Sequence, residues 1–147
     1  MPSLKRIFNK TIVFVTAYWL ICFSTFAHGW KTPEDTINAY ITAVKTGSGK
    51  HIEMAFTESA SIQYYNDKGE FHKYSRDEFQ KLVDTGNQWD AKIEITDLKK
   101  TGKAANATVE FTWGKQGEKG YVDYLNLIYD DKKSWHITDK VAQFVER

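Results

Sequence analysis

The chain has 147 residues, 20 of them Lys or Arg and 19 Asp or Glu, for a formal net charge of +1. That balance gives no basic face, so nucleic-acid binding lacks its electrostatic driver. The single cysteine, Cys22, rules out an intrachain disulfide framework, and folding must rest on an apolar core.

In chain order, the first segment reads as a secretory signal. Lys5, Arg6 and Lys10 form a positive start without acids, residues 11–23 are apolar, and the small and polar residues Ser24, Thr25 and Ala27 follow. The apolar run is shorter than the ~20 residues a bilayer-spanning helix needs. A lipoprotein signal would need a small residue before Cys22, and Ile21 is not small. The expectation is cleavage near Ala27, a periplasmic or secreted product, and no stable membrane anchor afterwards. Residues 28–147 then form one domain with 17 basic and 19 acidic residues, and no cysteine. Trp30, Trp89, Trp113 and Trp135 give it an aromatic-rich core or a lined cavity.

Thr32-Pro33-Glu34-Asp35 starts a helix: Thr32 caps, Pro33 suits the first turn, and two acids meet the positive helix end. Ile37, Tyr40, Ile41 and Val44 recur at helical spacing, and Gly47-Ser48-Gly49 stops the run. A short helix over 50–56 follows, with Ile52, Ala55 and Phe56 inward. Asn66-Asp67-Lys68-Gly69 turns a hairpin with arms 59–65 and 70–74. Ser75-Arg76-Asp77-Glu78 is a capping box opening a third helix, with Phe79, Leu82 and Val83 inward and Gly86 at its end. From Asp90 the period changes to two. Strands carrying Ile93 and Ile95, then Ala105 to Trp113, Tyr121 to Tyr129 and Trp135 to Phe144 form an antiparallel meander. One face packs on the helices.

The run from Tyr40 through Gly47, with Ile52 and Ala55-Phe56 after it, resembles the opening of the nuclear transport factor 2-like (cystatin-like cone) superfamily. Tyr121-Val-Asp-Tyr-Leu-Asn-Leu127, a polar turn and Trp135-His-Ile-Thr-Asp-Lys140 resemble the ending of its putative lumazine-binding branch, beside the SnoaL-like proteins. The resemblance spans residues 28–147. It implies an α+β cone, three N-terminal helices packed on a curved, mostly antiparallel sheet. It does not fix function, because this fold carries enzymes, binding modules and assembly subunits.

Strand alternation puts Tyr121, Asp123, Leu125 and Leu127 on the inner face, where an unpaired carboxylate is costly. In the ketosteroid isomerase members of the superfamily, an acid at this strand position and a tyrosine on the first helix form an oxyanion hole. Tyr40 holds that helix position. The plainer reading makes Asp123 a structural anchor and Tyr40 a satisfied core tyrosine. The same resemblance places the isomerase base at Tyr64, and a phenol with a pKa of about 10 is a poor base at neutral pH. Tyr64, Trp89, Phe111 and Trp113, with Phe79, are read as pocket-lining aromatics beside Tyr40, Tyr121 and Asp123.

His51, His72 and His136 are scattered without metal-ligand spacing, so no metal site and no cofactor are expected. Together these readings describe an exported binding or accessory domain, without recognisable catalytic machinery, taking a small apolar or aromatic ligand. The alternatives are an isomerase, dehydratase or lyase using Asp123 and Tyr40, and a protein-interaction module using the outer sheet face. Val122, Tyr124 and Ile128 on that outer face, with His136, Thr138 and Ala142 of the next strand, suggest a homodimer.

Overall fold

In a computed structural model the described residues are 29–147. The expected signal, Cys22 and His28 lie outside them. Helices α1 (Pro33–Thr46) and α2 (Gly49–Ala55) lead into strands β1 (Phe56–Tyr65) and β2 (Phe71–Ser75). Helix α3 (Arg76–Val83) follows, and then β3 (Lys92–Thr101), β4 (Ala104–Trp113), β5 (Lys119–Tyr129) and β6 (Trp135–Glu146). The six strands make one sheet in the order β2-β1-β6-β5-β4-β3, antiparallel throughout except where β1 runs parallel to β6. This is the expected α+β cone architecture, with the meander extended by the hairpin.

Local chemistry sets the element ends. Thr32 Oγ1 accepts the Asp35 N–H at 3.1 Å while the Asp35 carboxylate accepts the Thr32 N–H at 3.2 Å, a reciprocal cap. Ser75 and Glu78 repeat the arrangement at α3. Helix α1 ends at Gly47 with φ 63°, and a Cβ there would meet the Asn87 backbone at 2.7 Å. The Gly47 carbonyl accepts the Gly86 N–H and the Lys45 carbonyl accepts the Trp89 N–H, both at 2.9 Å. The loop carrying Trp89 is thereby tied to the end of α1.

Several boundaries and faces differ from expectation. Phe56 is not the last residue of α2; its backbone is already extended and it begins β1. Helix α3 stops at Val83, not Gly86, because Asp84 leaves helical geometry and its carboxylate accepts the Gly49 N–H at 2.9 Å. Leu82 is half exposed instead of inward.

The largest correction is in β6. Leu127 of β5 pairs with Ile137, but Asn126 pairs with Asp139, so Thr138 is an extra residue, a β-bulge. Trp135 and Ile137 face the core before it, and Lys140 and Ala142 face the core after it. Ala142 is therefore buried, not on the outer face, and Val141 takes its place outside. His136 stays half-buried, with Nδ1 2.8 Å from Asp130 Oδ2 in the preceding turn. Thr96 makes a similar bulge in β3, where Ile95 pairs with Val109 and Asp97 with Thr108.

The core lies between the helices and the inner sheet face. Ile37, Tyr40 and Ala43 of α1 meet Ile62, Val109, Phe111, Leu125 and Ile137 of the sheet. Thr36, fully buried, donates to the Trp135 carbonyl at 3.1 Å and joins α1 to β6.

Candidate functional site

At the centre of this layer sits a buried polar triad. Asp123, on the inner face of β5 between Tyr121 and Leu125, is 1% exposed. Its Oδ2 accepts the Tyr40 hydroxyl at 2.5 Å and lies 2.9 Å from Lys140 Nζ. Three elements position these groups. The α1 stripe aims Tyr40 at the sheet, and its ring is wedged edge-on against Phe56 and Phe111 at 5.5 and 5.9 Å. Strand alternation turns Asp123 inward. The Thr138 bulge turns Lys140 inward, where its ammonium lies 5.8 Å from the Tyr40 ring centre and 6.0 Å from that of Phe79, within cation–π range. Asp123 Oδ1 has no hydrogen-bond partner among the described residues.

A cavity of about 200 Å³ opens beside the triad, and Tyr40, Asp123 and Lys140 all line it. Tyr64, Trp89, Phe111 and Tyr121 supply aromatic wall, and Phe79, Leu82 and Val83 of α3 with Val44 of α1 supply the rest. Seven of the eight residues expected from the sequence thus meet at one place. Trp113 does not reach the cavity; it packs behind it, 5.0 Å from Trp89 and 5.8 Å from Tyr121. Lys140, Val44, Leu82 and Val83 were not anticipated as lining. The helical periodicity of α1 and α3 carries a signal for the three apolar ones, whereas nothing local marks Lys140.

The phenols around the cavity are all harder to ionise than usual. Burial raises Tyr40 well above its ordinary value, and the Asp123 charge and hydrogen bond raise it further. Burial, then the Tyr74 hydroxyl, pushes Tyr64 up to about 12. Burial, followed by the charges of Asp67 and Asp123, raises Tyr121. At neutral pH these groups are therefore protonated, able to donate a hydrogen bond and unable to act as bases.

Residues 31–143 match the protein family described as "Putative lumazine-binding". Among solved structures, an NTF-2 like protein of unknown function from Silicibacter pomeroyi DSS-3 is 24% identical with a TM-score of 0.65, over 76% of this chain and 91% of the other. One of the same description from Shewanella baltica OS155 is 16% identical at a TM-score of 0.66, over 78% and 92%. A ketosteroid isomerase-like protein from Erwinia carotovora atroseptica SCRI1043 is 14% identical at 0.58, over 78% and 94%. These likenesses show the fold. No curated protein matches the chain.

Proposed function

The chain belongs to the family described as "Putative lumazine-binding", and on that premise we propose that its domain binds a small, neutral, mostly apolar molecule in the cone cavity. The observation that carries this reading is the charge-balanced Asp123–Lys140 pair at the cavity. As an ion pair, Asp123 and Lys140 cancel each other's charge inside an aromatic wall. A ligand bringing a net charge would leave that charge uncompensated in a poorly solvated place, which is costly. A neutral ring incurs no such cost and gains from burying apolar surface.

The same geometry argues against the isomerase alternative. An oxyanion hole of that type needs an acid that donates a proton-bearing oxygen, and Asp123 in an ion pair with Lys140 has none to give. The position where that chemistry needs a carboxylate base holds Tyr64, whose phenol stays protonated to about pH 12.

Isothermal titration of the purified protein with phenol, toluene, benzoate and benzylamine tests the reading. The expected result is saturable binding of phenol and toluene, with both charged rings at least about tenfold weaker. Tightest binding of either charged ring, or no binding of any of the four, refutes it.

The reading extends to where and how the domain works. It acts outside the cytoplasm after removal of residues 1–27, and it pairs with a second copy through the outer sheet face. Tyr124 is 56% exposed, Val141 46% and Ile128 44%, and Tyr124 lies directly opposite Val141 on the neighbouring strand. An apolar strip at the centre of an uncovered sheet favours burial against an identical strip.

A further inference from the structure

We propose that the cavity is only half of the binding site, and that the inner face of the β1–β2 hairpin is a second subsite for another planar ring of the same ligand. The inference rests on the binding reading above. Tyr64 links the two halves: it lines the cavity and also stacks on His72, with ring centres 4.9 Å apart and planes 18° from parallel. Tyr74 completes the group, 6.0 Å from Tyr64 at 26° and 6.3 Å from His72 at 9°.

The register explains why three rings gather there. Tyr64 is directly opposite His72, and Tyr74 is opposite Ile62, whose buried side chain marks the inner face. The rings are half-buried, not sealed in the core. A cross-strand aromatic pair contributes about 0.2–1 kcal/mol to a hairpin; here a third ring joins the pair, and all three keep part of their surface open.

The neighbouring aromatic cluster makes a useful contrast. Trp113 and Tyr121 are tilted at 32°, and Phe144 meets them at 55° and 75°, the last pair edge to face. The hairpin rings stand nearer to parallel, at 9° to 26°; Tyr64 and His72 cover one face of each other, Tyr121 stands at 89° to Tyr64, and all three hairpin rings keep part of their surface open.

The platform is also held in place before any ligand arrives. Asn66 Nδ2 lies 3.1 Å from His72 Nε2, and Asn66 Oδ1 accepts the Lys68 and Glu70 N–H groups, each at 2.9 Å. Turn and ring are thus locked together, which lowers the ordering cost of binding. Size points the same way. A cavity of about 150 Å³ holds a benzene, so about 200 Å³ takes one substituted ring, and the hairpin rings that adjoin it through Tyr64 offer an aromatic surface for a second.

Calorimetric titration with phenol, 4-phenylphenol and 4-cyclohexylphenol tests the proposal. The last two have similar length and apolar area, but only the first of them carries a second aromatic face. The purified protein is expected to bind 4-phenylphenol about three- to tenfold tighter than 4-cyclohexylphenol. His72→Leu and Tyr74→Leu, separately, should bring that ratio toward one. A ratio of one in the unmodified protein overturns the second subsite while leaving the cavity reading intact, provided phenol binds. A ratio that survives both substitutions places the stacking elsewhere and also overturns it. Failure of all three probes to bind overturns the cavity reading and this proposal together.

Discussion

Lys140→Met is the sharpest test of the triad. Methionine keeps most of the lysine stem's volume but removes the ammonium, leaving Asp123 buried with the Tyr40 hydroxyl alone. The Lys140 and Asp123 side chains are 8% and 1% exposed, so solvent screens little of the loss. Removing one partner of a buried pair costs about 3–5 kcal/mol. For a domain of roughly 120 residues, 1 kcal/mol corresponds to about 4 °C, so Tm should fall by roughly 12–20 °C. Urea unfolding followed by tryptophan fluorescence measures the change, with an unaltered m-value showing that the two-state comparison holds. The triple variant Lys140→Met, Asp123→Leu, Tyr40→Phe removes all three polar groups together. It should recover to within about 2 kcal/mol of the parent, because no buried group is left unpaired. A loss below about 1 kcal/mol for the single variant, or a triple variant no more stable than the single one, would refute the account of a triad held together through Asp123 Oδ2.

Four further outcomes follow from the same structure. Tyr40, Tyr64 and Tyr121 all have folded-state pKa values above their ordinary value of 10.0, so the native state binds more protons than the unfolded chain in alkali. Their contribution is complete below pH 10 and is lost as pH rises from there; denaturation at pH 9 to 11.5 should show this decline, shallower in Tyr40→Phe. Gly47→Ala should cost at least about 2 kcal/mol in urea unfolding and weaken phenol binding, because a left-handed residue is strained and its Cβ would collide with the Asn87 backbone in the loop that carries Trp89. Light scattering should find a dimer at tens of micromolar and a monomer for Tyr124→Glu; a monomeric parent or a dimeric variant removes the outer face as the interface. N-terminal sequencing of protein made in a Gram-negative host should begin at or near His28 in the periplasm, and full-length protein retained in cytoplasm or membrane would count against export.

Much of the fold was legible because its signals are local. Thr32-Pro33-Glu34-Asp35 and Ser75-Arg76-Asp77-Glu78 carry their caps within four residues, and Asn66 to Gly69 carries its own turn. The apolar period distinguishes α1 from β4 without knowledge of any partner. The sequence reading failed where two distant segments decide together. Phe56 suits the end of α2 or the start of β1 equally well, and its parallel pairing with Ile137, 81 positions away, settles the matter. Leu82 follows the helical stripe of α3 but lies at the cavity, where nothing covers it fully.

The polar half of the site shows the same limit more clearly. Strict alternation from Trp135 would send Asp139, Val141 and Gln143 inward; alternation with one extra residue sends Lys140, Ala142 and Phe144 inward instead. Either choice buries a charge, so hydrophobic pattern alone cannot select between them. What selects is Asp123 on the neighbouring strand. An inward Asp139 would set a second carboxylate near the first, whereas an inward Lys140 neutralises it at 2.9 Å. The bulge at Thr138 accomplishes that switch with one residue, leaving Val141 outside beside Tyr124 and Lys140 inside beside Tyr40. A single backbone irregularity thereby determines both the charge balance of the cavity and the apolar strip of the outer face. The proposed ligand site and the proposed dimer surface depend on the same residue, and neither can be read from β6 alone.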